Sequence, residues 1–111
     1  MRHALICLLL IYSAKADVLF RDEHQGHGYI FESDRKDAAA TVSRDDIIES
    51  ASKWAAGFYD DDFLEVADVE SRMNPIRFWL VTLKNAVTDE TFYAVVLPDG
   101  TMVEPLIETS I

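Results

Sequence analysis

The sequence is almost without cysteine. Its one cysteine, Cys7, lies in an apolar run near the N-terminus. If the chain loses residues 1–16, it has no disulfide, no thiolate nucleophile and no cysteine metal ligand. Its fold then depends on a hydrophobic core, which a single domain of this length can form.

Residues 1–16 have the pattern of a secretion signal. Arg2 and His3 precede the apolar run, and Ala14-Lys15-Ala16 supplies the small-x-small pattern that signal peptidase recognises. The run is shorter than the roughly 20 residues that a membrane span needs. We predict a cleaved signal peptide over residues 1–16, a secreted or periplasmic protein, and no membrane insertion after cleavage. A buried N-terminal element and an uncleaved anchor are the alternatives.

Basic residues are also scarce. The chain has 10 Lys and Arg against 20 Asp and Glu, which gives a formal net charge of −10. Nucleic-acid binding needs clustered basic residues, so the composition argues against nucleic acid and against anionic membrane surfaces as partners. The excess of acid either keeps an exported protein in solution or attracts a basic partner.

Motifs of catalysis and cofactor binding are missing as well. The sequence has no G-x-S-x-G nucleophile motif and no glycine-rich phosphate-binding motif. The numerous carboxylates do not single out a pair for glycoside chemistry. We therefore predict a protein that is not an enzyme and that needs no cofactor.

The segment "DEHQGHG", residues 22–28, is a candidate metal site. His24 and His27, with Asp22 or Glu23 as a third ligand, have the ligand chemistry that zinc and copper accept. Structural zinc usually takes four ligands, and a glycine-bearing segment loses entropy when it becomes ordered. We favour a polar linker here, and an exported metal-binding protein using His24 and His27 is the alternative function.

Residues 17–40 are predicted to form a loosely ordered leader. It contains two short apolar patches, at residues 18–20 and 29–31, and each has the composition of a short strand. Gly26 and Gly28 between them favour a turn. The leader is expected to contribute at most an edge strand.

Residues 41–111 are predicted to form one domain that begins with a helix. Ser43 is the expected N-cap, and Asp45 and Asp46 follow in the first turn, where the helix dipole favours negative charge. One apolar stripe then has the helical period. Its members are Ile47, Ile48, Ala51, Trp54, Ala55 and Phe58.

The rest of this domain has the pattern of strands joined by short turns. The segments "FLEVADVES", "IRFWLVTLKNA", "TFYAVVLP" and "TMVEPLIE" alternate or are rich in β-branched and aromatic residues. Pro105 limits the last segment to an edge. The predicted fold class is α+β: one N-terminal helix packed on a three- to four-stranded antiparallel meander sheet, after the signal peptide and leader.

Both faces of that predicted sheet are apolar, so both need a cover. The helix can cover only one face. The predicted binding surface on the other consists of Trp79, Val81, Leu83, Tyr93, Val95 and Leu97. An exposed apolar patch of this size indicates a partner site. The alternative is that the leader's own apolar patches cover this face.

Three segments of residues 41–108 resemble the PepSY type of domain and the related cystatin-like folds. They are "TVSRDDIIESASKWA", "IRFWLVTLKN" and "TFYAVVLPDGTMVEP". The resemblance implies a helix on an antiparallel sheet and an exported, non-catalytic binding module. It also implies a protein partner, with the chain serving as a peptidase modulator or as an adaptor to an envelope protein. The resemblance supplies no catalytic residues.

Overall fold

The computed structural model describes residues 16–34 and 42–109. The elements in chain order are β1 (Asp17–His24), β2 (His27–Ser33), α1 (Arg44–Phe58), β3 (Leu64–Arg72), β4 (Phe78–Asn85), β5 (Thr91–Val96) and β6 (Leu106–Thr109). They form two antiparallel sheets, which we call the hairpin sheet, ordered β1-β2-β6, and the central sheet, ordered β3-β4-β5. The predicted signal peptide lies outside the described residues, apart from Ala16.

The predicted fold class is wrong in two respects. The chain is mostly β, with two sheets instead of one meander, and its helix follows two strands instead of opening the fold. Residues 17–33 of the segment expected to be a loose leader form a regular hairpin of β1 and β2, and residues 35–40 of that segment lie outside the described residues. Its turn residues Gln25 and Gly26 have φ angles of 52° and 79°. Two successive positive φ values give the tight turn whose twist matches that of the paired strands.

The last strand also leaves the predicted meander. Met102 forms an isolated bridge with Val96, so the chain returns beside β5 after the turn that follows it. Pro105 has no N–H group with which to continue that ladder. Beyond Pro105, β6 pairs antiparallel with β2 and completes the hairpin sheet.

The start of α1 confirms the predicted cap. The hydroxyl oxygen of Ser43 accepts a hydrogen bond from the backbone N–H of Asp46 at 3.2 Å. Within residues 16–34 and 42–109, no helix is long and apolar enough to cross a membrane.

The two faces of the central sheet are covered by different elements. On one face, which we call the helix face, Ile47, Ala51 and Ala55 of α1 pack against Val81, Leu83, Ala94 and Val96. On the other, the hairpin face, Leu19 and Phe31 of the hairpin pack against Phe78, Leu80, Val95 and Leu97. The chain's own N-terminal hairpin therefore covers the second face.

Helix and hairpin meet around β5, an edge strand of the central sheet. The ring of Phe31 lies 6.4 Å from that of Trp54, and the ring of Tyr29 lies 5.8 Å from that of Tyr59. These contacts join the two covering layers directly. The region where they meet, near the turn of the hairpin and the end of the helix, holds the candidate site.

Candidate functional site

The six residues of the predicted binding surface are divided between the two covered faces. Trp79, Val81 and Leu83 lie on the helix face, and Tyr93, Val95 and Leu97 lie on the hairpin face. The division follows from strand register, because Tyr93 pairs with Thr82 and not with Val81. Four of the six are at most 2% exposed, and Trp79 and Tyr93 are half-buried. They belong to the core and do not share one surface.

His24 and His27 lie directly opposite each other in the pairing of β1 with β2. The ring of His24 packs against Phe92 at 4.6 Å, and His27 Nδ1 lies 3.4 Å from Thr109 Oγ1. Among the residues that the structure describes, no group of three or more His, Cys, Asp or Glu side chains is placed to hold a metal ion. The predicted metal site therefore has His24 and His27 as candidate ligands and no third ligand among the described residues.

A cleft of about 310 Å³ opens where the hairpin tip, the end of α1, the start of β5 and β6 come together. Its aromatic lining consists of Tyr29, Phe58, Tyr59 and Phe92, and its remaining lining consists of His24, Gln25, Asp61, Glu90 and Ile107. We call it the aromatic cleft. Its volume is at the lower end of the roughly 300–1,000 Å³ found for small-ligand sites. Of the side chains singled out from the sequence as site residues, it contains only His24.

Tyr59 stands at the centre of the aromatic wall. Its ring lies 4.8 Å from that of Phe92 and 4.9 Å from that of Phe58. Its hydroxyl donates a hydrogen bond to the carbonyl oxygen of Tyr93 at 2.6 Å. Burial raises the pKa of the Tyr59 phenol above its ordinary value of 10.0, so the group remains a protonated donor at neutral pH.

Asp61 reaches the cleft because of the way α1 ends. Asp60 has a φ of 53°, and the N–H of Asp61 donates to the carbonyl of Ala56 at 3.0 Å, which is the backbone pattern of a Schellman-type helix end. The Asp61 carboxylate then accepts hydrogen bonds from Asn85 Nδ2 at 2.7 Å and from the N–H of Phe63 at 2.9 Å. Both donors are uncharged. They fix the carboxylate without neutralising it.

Glu90 is held in a similar way at the opposite side. Its carboxylate accepts hydrogen bonds from Gln25 Nε2 at 3.0 Å and from the Thr88 hydroxyl at 3.1 Å. His24 Nε2 lies 3.2 Å from Glu90 Oε2. That nitrogen nevertheless has no hydrogen-bond partner among the described residues. Because the distance is within hydrogen-bond range, poor alignment of the two groups is what prevents a hydrogen bond.

The cleft carries negative charge that no lysine or arginine balances within the described residues. Across the described residues, the lysine and arginine side chains form four ion pairs: Arg21–Glu108, Lys53–Glu49, Arg72–Glu70 and Lys84–Asp89. None of them involves Asp61 or Glu90. A third carboxyl, Asp22, lies near Tyr59, and burial raises the pKa of this carboxyl above its ordinary value of 3.8.

The sequence did not predict the aromatic cleft, because the residues that line it come from distant segments of the chain. Gln25 and Glu90, which are hydrogen-bonded to each other, are 65 positions apart. The nearest available signals were the aromatic residues at the end of the helix stripe and the acidic run that follows them. Each of these has an adequate local explanation, as core or as a helix end, so neither indicated a shared site.

Comparison of the chain with models of protein families, with curated proteins and with solved structures finds no match in any of the three. The resemblance to PepSY domains therefore stays a prediction.

Proposed function

We propose that this chain is an exported, non-catalytic binding module that holds a protein partner at the aromatic cleft. The observation that carries the proposal is the convergence of four aromatic side chains and two carboxylates in one cleft. Aromatic residues supply much of the affinity at protein interfaces because they bury large areas while losing little conformational freedom. Export follows from the pattern of residues 1–16.

The surroundings of the cleft support a macromolecular partner. Ile107, which lines the cleft, is exposed, and so are Phe63 and Val87 nearby. Asp61 binds the N–H of Phe63, and Asn85 binds both Asp61 and the N–H of Val87. One hydrogen-bond network therefore links the cleft to the backbone N–H groups of Phe63 and Val87, whose side chains are exposed. Exposed apolar side chains bordered by polar groups are typical of a surface that another protein covers.

Both partner classes implied by the PepSY resemblance, a peptidase and an envelope protein, are compatible with this proposal. In either case the partner is expected to bury Ile107 and to place one of its own side chains in the cleft. Burial of an isoleucine side chain contributes about 1.5–3 kcal/mol, which corresponds to roughly a tenfold to hundredfold change in affinity.

The test uses two neighbouring residues of β6. Ile107 and Leu106 are 54% and 55% exposed, and they point to opposite faces of the strand. Only Ile107 lines the aromatic cleft. The full chain, tagged at its C-terminus and expressed in its native organism, is compared with Ile107→Ser and Leu106→Ser variants. Captured proteins are identified by mass spectrometry, and the dissociation constant of a purified partner is measured by calorimetry.

We expect the Leu106→Ser variant to bind the partner like the unaltered chain and Ile107→Ser to bind it about tenfold more weakly. Substitution of an exposed residue costs little stability, and circular dichroism and a urea midpoint verify that both variants are folded. Equal binding by the two variants would show that the partner docks elsewhere, and would overturn the proposal.

A further inference from the structure

We propose that the group held in the aromatic cleft is a basic side chain of the partner, the ammonium of lysine or the guanidinium of arginine. This inference rests on the proposed function and specifies the chemistry of what binds there. Three features of the cleft support it: its charge, its aromatic lining and an unpartnered ring nitrogen.

The negative charge of the cleft favours a positively charged ligand. Asp61 and Glu90 are oriented by the amide groups of Asn85 and Gln25, which are dipoles and leave the net charge of each carboxylate in place. Opposite charges attract more strongly in a partly desolvated cleft than in bulk water. The chain as a whole has a formal net charge of −10, so a basic partner is also attracted over longer distances.

The aromatic lining suits the same ligand, although one face of Phe58 is already stacked on Trp54 at 4.7 Å. A ring carries negative potential on its face, and a cation within about 6 Å of the ring centre is attracted to it. Lysine and arginine also have long apolar stems that pack on hydrophobic surface while the charged head reaches polar groups. Ile107 and Phe58 offer such a surface for the stem, and Asp61 and Glu90 offer partners for the head.

A ring nitrogen without a hydrogen-bond partner lies beside a carboxylate oxygen that already accepts from Gln25 Nε2. His24 Nε2 and Glu90 Oε2 are 3.2 Å apart, and the nitrogen has no hydrogen-bond partner within the described part of the chain. With a ring proton on Nδ1, the His24 side chain can accept a hydrogen bond at Nε2. A lysine ammonium has three N–H donors and an arginine guanidinium has five, enough to serve both atoms.

Other ligand chemistries fit less well. An anion would be repelled by the two carboxylates, and a purely apolar side chain would strip water from them without replacing its hydrogen bonds. A metal ion lacks the required set of ligands among the residues in 16–34 and 42–109. A basic side chain satisfies the charge, the rings and the acceptors together.

The direct test measures binding of single amino-acid derivatives to the full chain. N-acetyl-lysine methylamide and N-acetyl-arginine methylamide are the probes, and N-acetyl-norleucine methylamide is a control with a similar stem and no charge. Nuclear magnetic resonance follows the amide signals of Phe58, Tyr59 and Asp61. We expect dissociation constants on the order of millimolar for the basic derivatives, and binding at least about fivefold weaker for norleucine.

A pair of charge-neutralising variants localises the effect. Glu90→Gln keeps the size of the side chain and one acceptor oxygen, and it removes the charge. Glu65→Gln makes the same charge change at an exposed position of β3 that does not line the cleft. Lysine binding is expected to weaken about fivefold to tenfold in Glu90→Gln and less than about twofold in Glu65→Gln, and to weaken with added salt.

Equal binding of norleucine and lysine derivatives, or unchanged lysine binding by Glu90→Gln, would overturn the inference. Competition separates it from the proposed function. If a partner that depends on Ile107 is not displaced by either basic derivative, the docking site stands and the ligand class is wrong. If the basic derivatives bind but Ile107→Ser leaves partner binding unchanged, the proposed function fails and the partner is not the source of the cation.

Discussion

The helix face and the hairpin face of the central sheet are covered by layers of different character. On the helix face, Ala51 and Ala55 are small and fully buried, so the helix backbone lies close to the sheet. On the hairpin face, aromatic side chains such as Phe31 and Phe20 fill the gap between two sheets. The aromatic cleft lies where the two layers meet, at the end of the helix and the tip of the hairpin. The proposed binding surface therefore lies at the joint between the two layers.

The largest expected effect comes from breaking the hairpin layer. Phe31→Ala removes a fully buried ring and is expected to lower the free energy of unfolding by about 3–5 kcal/mol. Urea denaturation followed by tryptophan fluorescence measures it. Val18→Ala, an exposed change in the same hairpin, serves as the control and should stay within about 0.5 kcal/mol. Similar small losses in both variants would contradict the hairpin's role as a core layer.

The matching change in the helix layer is Ile47→Ala. Ile47 is fully buried, and its truncation is expected to cost about 2–4 kcal/mol, somewhat less than loss of the larger phenylalanine ring. Each variant should unfold in a single transition, and circular dichroism and fluorescence should give the same midpoint for that variant. This is expected because the two layers share one sheet. Separate transitions would mean that the layers are independent.

A smaller effect is expected at the joint between the layers. Tyr59→Phe removes the hydrogen bond from the end of the helix to the carbonyl of Tyr93 and keeps the ring. Leaving that carbonyl without its donor is expected to cost about 1–2 kcal/mol in urea denaturation. Tyr29→Phe is a matched control, because its hydroxyl has no such hydrogen bond in the part of the chain that the structure describes. An equal loss in the control would assign the effect to general changes in the cleft.

The smallest effect is expected from removing the charge of Asp22 in β1. Burial raises the pKa of Asp22, so the folded state favours its protonated form. Its charged form therefore lowers stability above the unfolded-state pKa, and this cost disappears as pH falls below about 4. Asp22→Asn should raise stability by about 0.5 kcal/mol or less at pH 7 and leave it unchanged at pH 3. A stability loss at pH 7 would mean that the carboxylate stabilises the fold.

Local features of the fold were predictable from the sequence, and contacts between distant segments were not. The Ser43 cap and the buried positions of α1 follow from interactions within four residues. Alternating apolar residues correctly indicated that the central sheet needs two covers. Periodicity shows which side chains are buried and not what they are buried against, so the pairing of β2 with β6 left no signal.

Strand register explains why the predicted binding surface failed as a single patch. Trp79 and Tyr93 both alternate with buried neighbours along their strands. The sequence was therefore consistent with the two side chains on the same face of the sheet or on opposite faces. The pairing of Thr82 with Tyr93 places the two aromatic side chains on opposite faces. A shift of one residue in register would have reversed this result, because side chains change face at every position.

The position of β6 has a consequence for the time course of folding and binding. Its residue Thr109 pairs with His27, 82 positions earlier, so a long loop must close before this four-residue strand gains its contacts. We expect β6 to dock late in folding and to detach first from the folded protein. Because Ile107 forms one wall of the cleft, such a detachment widens the cleft while the central sheet stays intact. The size of the proposed binding site therefore depends on whether one short strand is docked.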